Sequence, residues 1–272
     1  MKDYKIIIVG FGVVGKLEYD TLYEKFFPDF LDVNGSMLFS LFSSGDNKLI
    51  TFEEAIEKIK DVKYDLAIVA VPTPFDEKAG VLDCHLVYDA VKEVNADIYL
   101  IKSTTNVGYC DYLAEVTHKH IVHSPEYSGA TQHCNNFDFN FTILGGDDAD
   151  CQVVQEIYQE VFDARHEFIY YTRRESEAIK LVENSYLPNT VSFWNSIWES
   201  CNNLGICFEK VREGVLKDPR IPREHSAVYP SHPYWDSHCF NKDERAFANQ
   251  SNNDYLKHTY EFNEKMKMKY KK

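Results

Sequence analysis

The 272-residue chain carries 43 acidic and 29 basic side chains, a formal net charge of −14, and such a balance disfavours nucleic acid as the main partner. Its length allows a sizeable core in two domains or one large one. Seven cysteines without a paired spacing, no apolar run long enough to span a bilayer and no signal-peptide layout after Met1-Lys2-Asp3 point away from the membrane, to a soluble protein of the reducing cytoplasm.

Residues 4–9 are a β-branched run of the kind found in buried parallel strands. They lead into Gly10-Phe11-Gly12-Val13-Val14-Gly15 and then a helical pattern to about Phe27. Strand, Gly-x-Gly-x-x-Gly and helix in that order form the dinucleotide fingerprint. Gly10 serves the tight turn, Gly12 lets a pyrophosphate approach the backbone, and Gly15 lets helix and strand pack closely. Residues 28–36 read as a loop and 37–42 as the second strand, ending at Ser43-Ser44-Gly45-Asp46-Asn47-Lys48. Asp46 is then the candidate partner of the ribose hydroxyls, while Ser43, Ser44 and Lys48 suit a 2′-phosphate. NAD is the expected cofactor, with NADP left open.

A capping box, Thr51-x-x-Glu54, opens a helix over 51–59. Strands follow at 65–71, 97–101, 121–123, 141–144 and 167–171, with helices at 84–94, 112–117 and 152–162. This alternation predicts a Rossmann-like, doubly wound parallel α/β sheet over residues 1–172. Ligands of such sheets lie at the carboxyl ends of the strands. Val71-Pro72-Thr73, Ser103-Thr104 and Pro125-Glu126 fall there.

Residues 173–272 are expected to form a smaller, mainly helical domain entered through a long central helix at 175–204. Its apolar positions recur at helical spacing, and Gly205 stops it. Glu177, Lys180 and Asn184 share one side. Pro188 removes the bond to the Asn184 carbonyl, so a kink is expected there. Phe193, Trp194, Ile197, Trp198 and Cys201 make a broad apolar face that predicts a homodimer. A helix at 208–216 precedes a long loop over 218–243, and a last helix carries Tyr255 and Phe262. Polar neighbours Asp236, His238, Lys242 and Asp243 mark Cys239 as an exposed, tuned thiolate rather than a core residue. His225, His232, His238 and Cys239 match no zinc spacing, and no metal is expected.

Taken together, these segments resemble the UDP-glucose/GDP-mannose dehydrogenase family. The resemblance rests on the glycine fingerprint, Val71-Pro72-Thr73-Pro74, Lys102-Ser103-Thr104, Ser124-Pro125-Glu126-Tyr127, Glu177-x-x-Lys180-x-x-x-Asn184, Asp218-Pro219-Arg220-Ile221 and Cys239-Phe240-x-Lys242-Asp243. It implies NAD-dependent oxidation of a nucleotide sugar's primary alcohol to a uronic acid, as UDP-glucose 6-dehydrogenases do in polysaccharide biosynthesis. Cys239 would carry the thiohemiacetal and thioester, with Lys180 and Asn184 at the oxyanion. Thr104, Glu126 and Asp243 would manage water and protons, and Glu126, Tyr127, Lys180 and Asn184 would touch substrate. Thr104 would also line the cofactor site with Val13 and Val14, and Arg220 would reach the sugar nucleotide from a neighbouring subunit.

Some features depart from the family pattern. The family carries a further nucleotide-binding domain, and the chain stops where it would begin. Tyr234-Trp235-Asp236-Ser237-His238 replaces a glycine-rich approach to the cysteine, and Asn106 and Asn241 replace prolines. Two alternatives stand beside this reading. One is a two-electron β-hydroxyacid-type dehydrogenase, which needs no cysteine. The other is a truncated, non-catalytic homologue that binds NAD or a nucleotide sugar.

Overall fold

Three short runs with almost every residue buried, β1 (Ile6–Val9), β3 (Tyr64–Val69) and β6 (Ala96–Ile101), form the middle of a parallel sheet. Strands covered on both faces favour this unbroken apolar composition. The computed structural model describes residues 4–32, 52–127 and 139–271. Among them the sheet order is β2-β1-β3-β6-β7-β8-β9, with β2 at Asp29–Leu31, β7 at His120–His123, β8 at Phe141–Gly145 and β9 at Glu167–Tyr171. The chain places β2 on one side of β1 and β3 on the other, so the order reverses at β1, where such sheets hold ligands.

Helices α1 (Val13–Phe26), α2 (Phe52–Ile59), α3 (His85–Glu93), α4 (Tyr109–Thr117) and α5 (Asp148–Tyr158) alternate with these strands. Ile6, Ile8, Leu66, Ile68, Leu100 and Val122 from the sheet pack with Leu22 of α1 and Val154 of α5 in one core.

The doubly wound α/β class is as expected, with two corrections. β8 pairs antiparallel with β7, and β9 runs parallel to β8, so the last two strands oppose the rest. Residues 29–31 are not loop: they pair in parallel register with β1, Ile7 with Asp29 and Val9 with Leu31. An apolar run this short (Phe30, Leu31) carries too little periodicity to announce a strand. The strand expected at 37–42, Ser43, Asp46 and the Thr51 cap lie outside the described residues.

The chain forms two compact units, residues 1–74 with 83–180, and 75–82 with 181–272. Helix α6 (Arg173–Leu204) supplies residues to both and continues through Pro188 as one helix. The second unit contains a hairpin, β4 (Phe75–Asp76) and β5 (Val81–Leu82), with α7 (Phe208–Val215), α8 (His238–Gln250) and α9 (Asp254–Tyr270). Trp194 and Cys201 of α6 are buried against Phe208 of α7, with Ile197 and Trp198 packed alongside. The face expected to meet a partner is therefore largely covered within the unit, while Val182, Tyr186 and Phe193 stay exposed. The predicted loop over 218–243 ends earlier: Ser237 caps α8 by accepting from the Phe240 N–H, and Cys239 sits in the first helical turn.

Candidate active site

The glycine loop separates what the fold requires from what a ligand requires. Gly10 has φ +92°, and a Cβ there would strike the Ala70 carbonyl. A Cβ on Gly15 would strike the Gly10 carbonyl. A Cβ on Gly12 would meet nothing within 4 Å, so the fold leaves that position open. Gly12 is also the N-cap of α1, whose side chains contribute no capping bond, and exposed Val13 begins the helix. Unpaired amides at a helix start favour an anion.

Asp32 stands just past β2, and its Oδ2 accepts the Phe11 N–H at 2.6 Å. It follows Gly12 by 20 positions, the spacing expected of the acidic residue that holds ribose hydroxyls. That spacing is the signal in the sequence; Asp46, the residue expected in this role, lies outside the described residues. The residues present thus fit an NAD-type dinucleotide. Across the order reversal, Thr73 follows β3 and donates from Oγ1 to the Thr104 carbonyl at 2.7 Å. Val71 and Thr104 are half-buried, and Pro72 is exposed.

Just past β6, Lys102 anchors a buried charge cluster that sequence reasoning missed. The Lys102 ammonium is 2.8 Å from Glu18 and 3.4 Å from Glu126, and it also donates to Ser124 Oγ at 3.4 Å. Tyr158 donates its hydroxyl to Glu18. Burial alone would depress this ammonium, but Glu18 and then Glu126 override it and hold it above its ordinary value. A glutamate on an amphipathic helix ordinarily faces water, so nothing in the sequence marks Glu18 as buried. Glu126 also accepts the Tyr127 N–H at 2.9 Å. The Lys180 ammonium lies 5.4 Å from the centre of the Tyr127 ring, a cation–π distance that joins two expected substrate residues.

Glu177, though it shares the polar side of α6 with Lys180, turns to α4. It accepts Thr105 Oγ1 at 2.9 Å, the Gly108 N–H at 2.5 Å and the Cys110 N–H at 2.8 Å, capping that helix. Its role is architectural.

In the second unit Asn184 donates from Nδ2 to Asp243 Oδ2 at 2.7 Å, and Lys242 is 2.6 Å from Asp243 Oδ1. Both Asn184 and Asp243 are buried. Cys239 precedes Asp243 by one helical turn and is exposed. The first turn of a helix favours an anionic side chain, which suits a nucleophilic thiol. Arg220 is exposed, and its guanidinium is paired with Asp218 at 2.6 Å. Among the described residues no group of His, Cys, Asp and Glu is arranged to hold a metal ion.

Residues 174–265 match the UDP-glucose/GDP-mannose dehydrogenase family, central domain. Over those residues the chain is similar to the central domain of nucleotide-sugar dehydrogenases. It is 27% identical to the UDP-glucose 6-dehydrogenase of Campylobacter jejuni, across 96% of this chain and 72% of that protein. It is 28% identical to the UDP-glucose 6-dehydrogenase of Rhizobium meliloti, across 68% of this chain but only 45% of the relative's length. The UDP-N-acetyl-D-mannosamine dehydrogenase of Methanocaldococcus jannaschii is 26% identical across 72% of this chain and 47% of its own. The chain thus spans about half the length of several curated relatives.

A UDP-glucose dehydrogenase structure from Pyrobaculum islandicum superposes with a TM-score of 0.79 at 20% identity, covering 97% of this chain and 68% of that one. A 3-hydroxyisobutyrate dehydrogenase from Mycobacterium tuberculosis gives 0.70 at 12% identity, covering 99% and 95%. At these identities the superpositions establish the fold, which both kinds of dehydrogenase share. No helix among the described residues is long and apolar enough to cross a membrane.

Proposed function

We propose that the protein oxidises the primary alcohol of a UDP-sugar to the uronic acid with NAD. The observation that carries this reading is the α8 arrangement: exposed Cys239 in the first turn, and Asp243 one turn on, buried and holding Asn184. A two-electron dehydrogenase needs no such cysteine. Gly10, Gly12, Gly15 and Asp32 would hold the dinucleotide, with Val71 to Thr73 and Thr104 at the facing strand ends. When bound, the nicotinamide accepts one hydride in each oxidation.

The Cys239 thiolate adds to the intermediate aldehyde carbon, and the new oxyanion is met by Lys180 and by the Asn184 amide, whose geometry Asp243 sets. Loss of a second hydride leaves a thioester at Cys239. Water then adds to the acyl carbon and the thiolate departs, with Glu126, Thr104 and Asp243 as the groups that orient water and carry its protons. Tyr127 lines the sugar beside Lys180. A homodimer would use the exposed Val182, Tyr186 and Phe193 of α6 and bring Arg220 to the neighbouring subunit's nucleotide.

The test is a panel of UDP-sugars with NAD and NADP, counting reduced cofactor per sugar for the parent, Cys239→Ser and Cys239→Ala. Two reduced cofactors per sugar, a covalent ester on Cys239→Ser by mass spectrometry and an inert Cys239→Ala are expected. One cofactor per substrate, with Cys239→Ala at the parental rate, would establish the two-electron alternative.

A further inference from the structure

Two neighbouring carboxyl groups of α8 reach α6 on either side of Pro188. Asp243 accepts from Asn184, which precedes the proline, and Glu244 Oε1 accepts from Asn189 Nδ2 at 2.8 Å just beyond it. The same Asn189 nitrogen donates to the Ser185 carbonyl at 2.7 Å. Pro188 has no N–H for the Asn184 carbonyl, so α6 lacks one of its own bonds where the two contacts fall.

The two contacts differ in charge. Asp243 has the Lys242 ammonium beside it. Among the described residues Glu244, fully buried, pairs with no cation, and its Oε2, like Asn189 Oδ1, has no hydrogen-bond partner. Arg245 of α8 itself pairs with Glu77 of the β4–β5 hairpin, and Lys267 of α9 pairs with Asp236. Burial pushes the Glu244 carboxyl up to about 8, opposed only by the Asn189 bond. A lone ionised carboxylate with one donor costs far more in such a place than a neutral acid.

We propose that Glu244 is carried as a neutral carboxylic acid and is a positioning residue, fastening the helix of Cys239 and Asp243 to the central helix through Asn189. Its bearing on catalysis rests on the nucleotide-sugar reading above; the fastening itself does not. A carboxylate at this position draws water toward the contact and weakens it, so the fastening fails on the alkaline side.

Amide hydrogen exchange over 238–246, corrected for intrinsic rates, tests this in the full chain at pH 7 and 9, beside kcat and KM for UDP-sugar oxidation. The parent should lose roughly tenfold in protection and in kcat between these pH values, because a group titrating near pH 8 is about one-tenth protonated at pH 9. Glu244→Gln, which keeps the acceptor and cannot ionise, should hold both. Glu244→Ala should show low protection at both pH values; if it does not fold, parent against Glu244→Gln decides. Identical pH dependence of exchange in the parent and Glu244→Gln would overturn the proposal. The expected exchange pattern without turnover of any UDP-sugar would uphold the fastening and discard the catalytic reading instead.

Discussion

The Asp32 carboxylate accepts the Phe11 backbone N–H at 2.6 Å, tying the end of β2 to the turn between Gly10 and Gly12. A carboxylate there suits ribose hydroxyls and repels a 2′-phosphate. Asp32→Ser should weaken NAD binding about tenfold, roughly 1.4 kcal/mol, and narrow the preference over NADP. Calorimetric titration of both cofactors measures it. Unchanged NAD affinity would return the acidic role to another residue.

Gly12 and Gly15 should fail in opposite ways. Gly15→Ala drives a Cβ into the Gly10 carbonyl and should lower the melting temperature by several degrees. Gly12→Val meets no protein atom at its Cβ, so it should melt near the parental temperature while losing dinucleotide affinity. Thermal melts with and without cofactor separate the two.

Lys102 is the cation shared by buried Glu18 and half-buried Glu126. Lys102→Met leaves those carboxylates without it and should cost about 3–5 kcal/mol. Adding Glu18→Gln should recover part of the loss, because one uncompensated charge is removed. Urea unfolding of the single and double variants measures the coupling; strict additivity would mean the pair does not interact.

His123 ends β7 fully buried, with Nδ1 2.8 Å from Ser176 Oγ. Burial, and then the Lys102 charge, lower its imidazole to about 3. Between the usual imidazole range near 6.5 and that value, the unfolded chain binds a proton that the folded chain refuses. Stability from this residue is therefore complete above about pH 6.5 and lost as pH falls toward 3. The loss is on the order of 1.4 kcal/mol per unit of pH while only the unfolded form is protonated. His123→Gln should flatten that slope in urea unfolding between pH 4 and 7; an unchanged slope would assign the acid sensitivity elsewhere.

Composition and local pattern determined much of this protein. The β-branched runs, the fingerprint glycines and the helical spacing from Ile179 to Cys201 specify a Rossmann-like sheet and a long helix, because backbone propensity and burial period act over a few neighbouring residues. The chemistry-bearing set proposed for the site comes from short motifs, whose residues lie close along the chain. What the sequence could not decide was which partner each polar side chain takes. Glu177 and Lys180 share a helix side, yet one caps α4 and the other lies over Tyr127. Glu18 sits on α1 but belongs to Lys102, and Glu244 belongs to Asn189. Strand β2 forms because β1 offers it an edge, and Asp32 becomes a site candidate only through that pairing. Burial, charge compensation and strand pairing depend on residues distant in sequence, and only the tertiary structure brings those together.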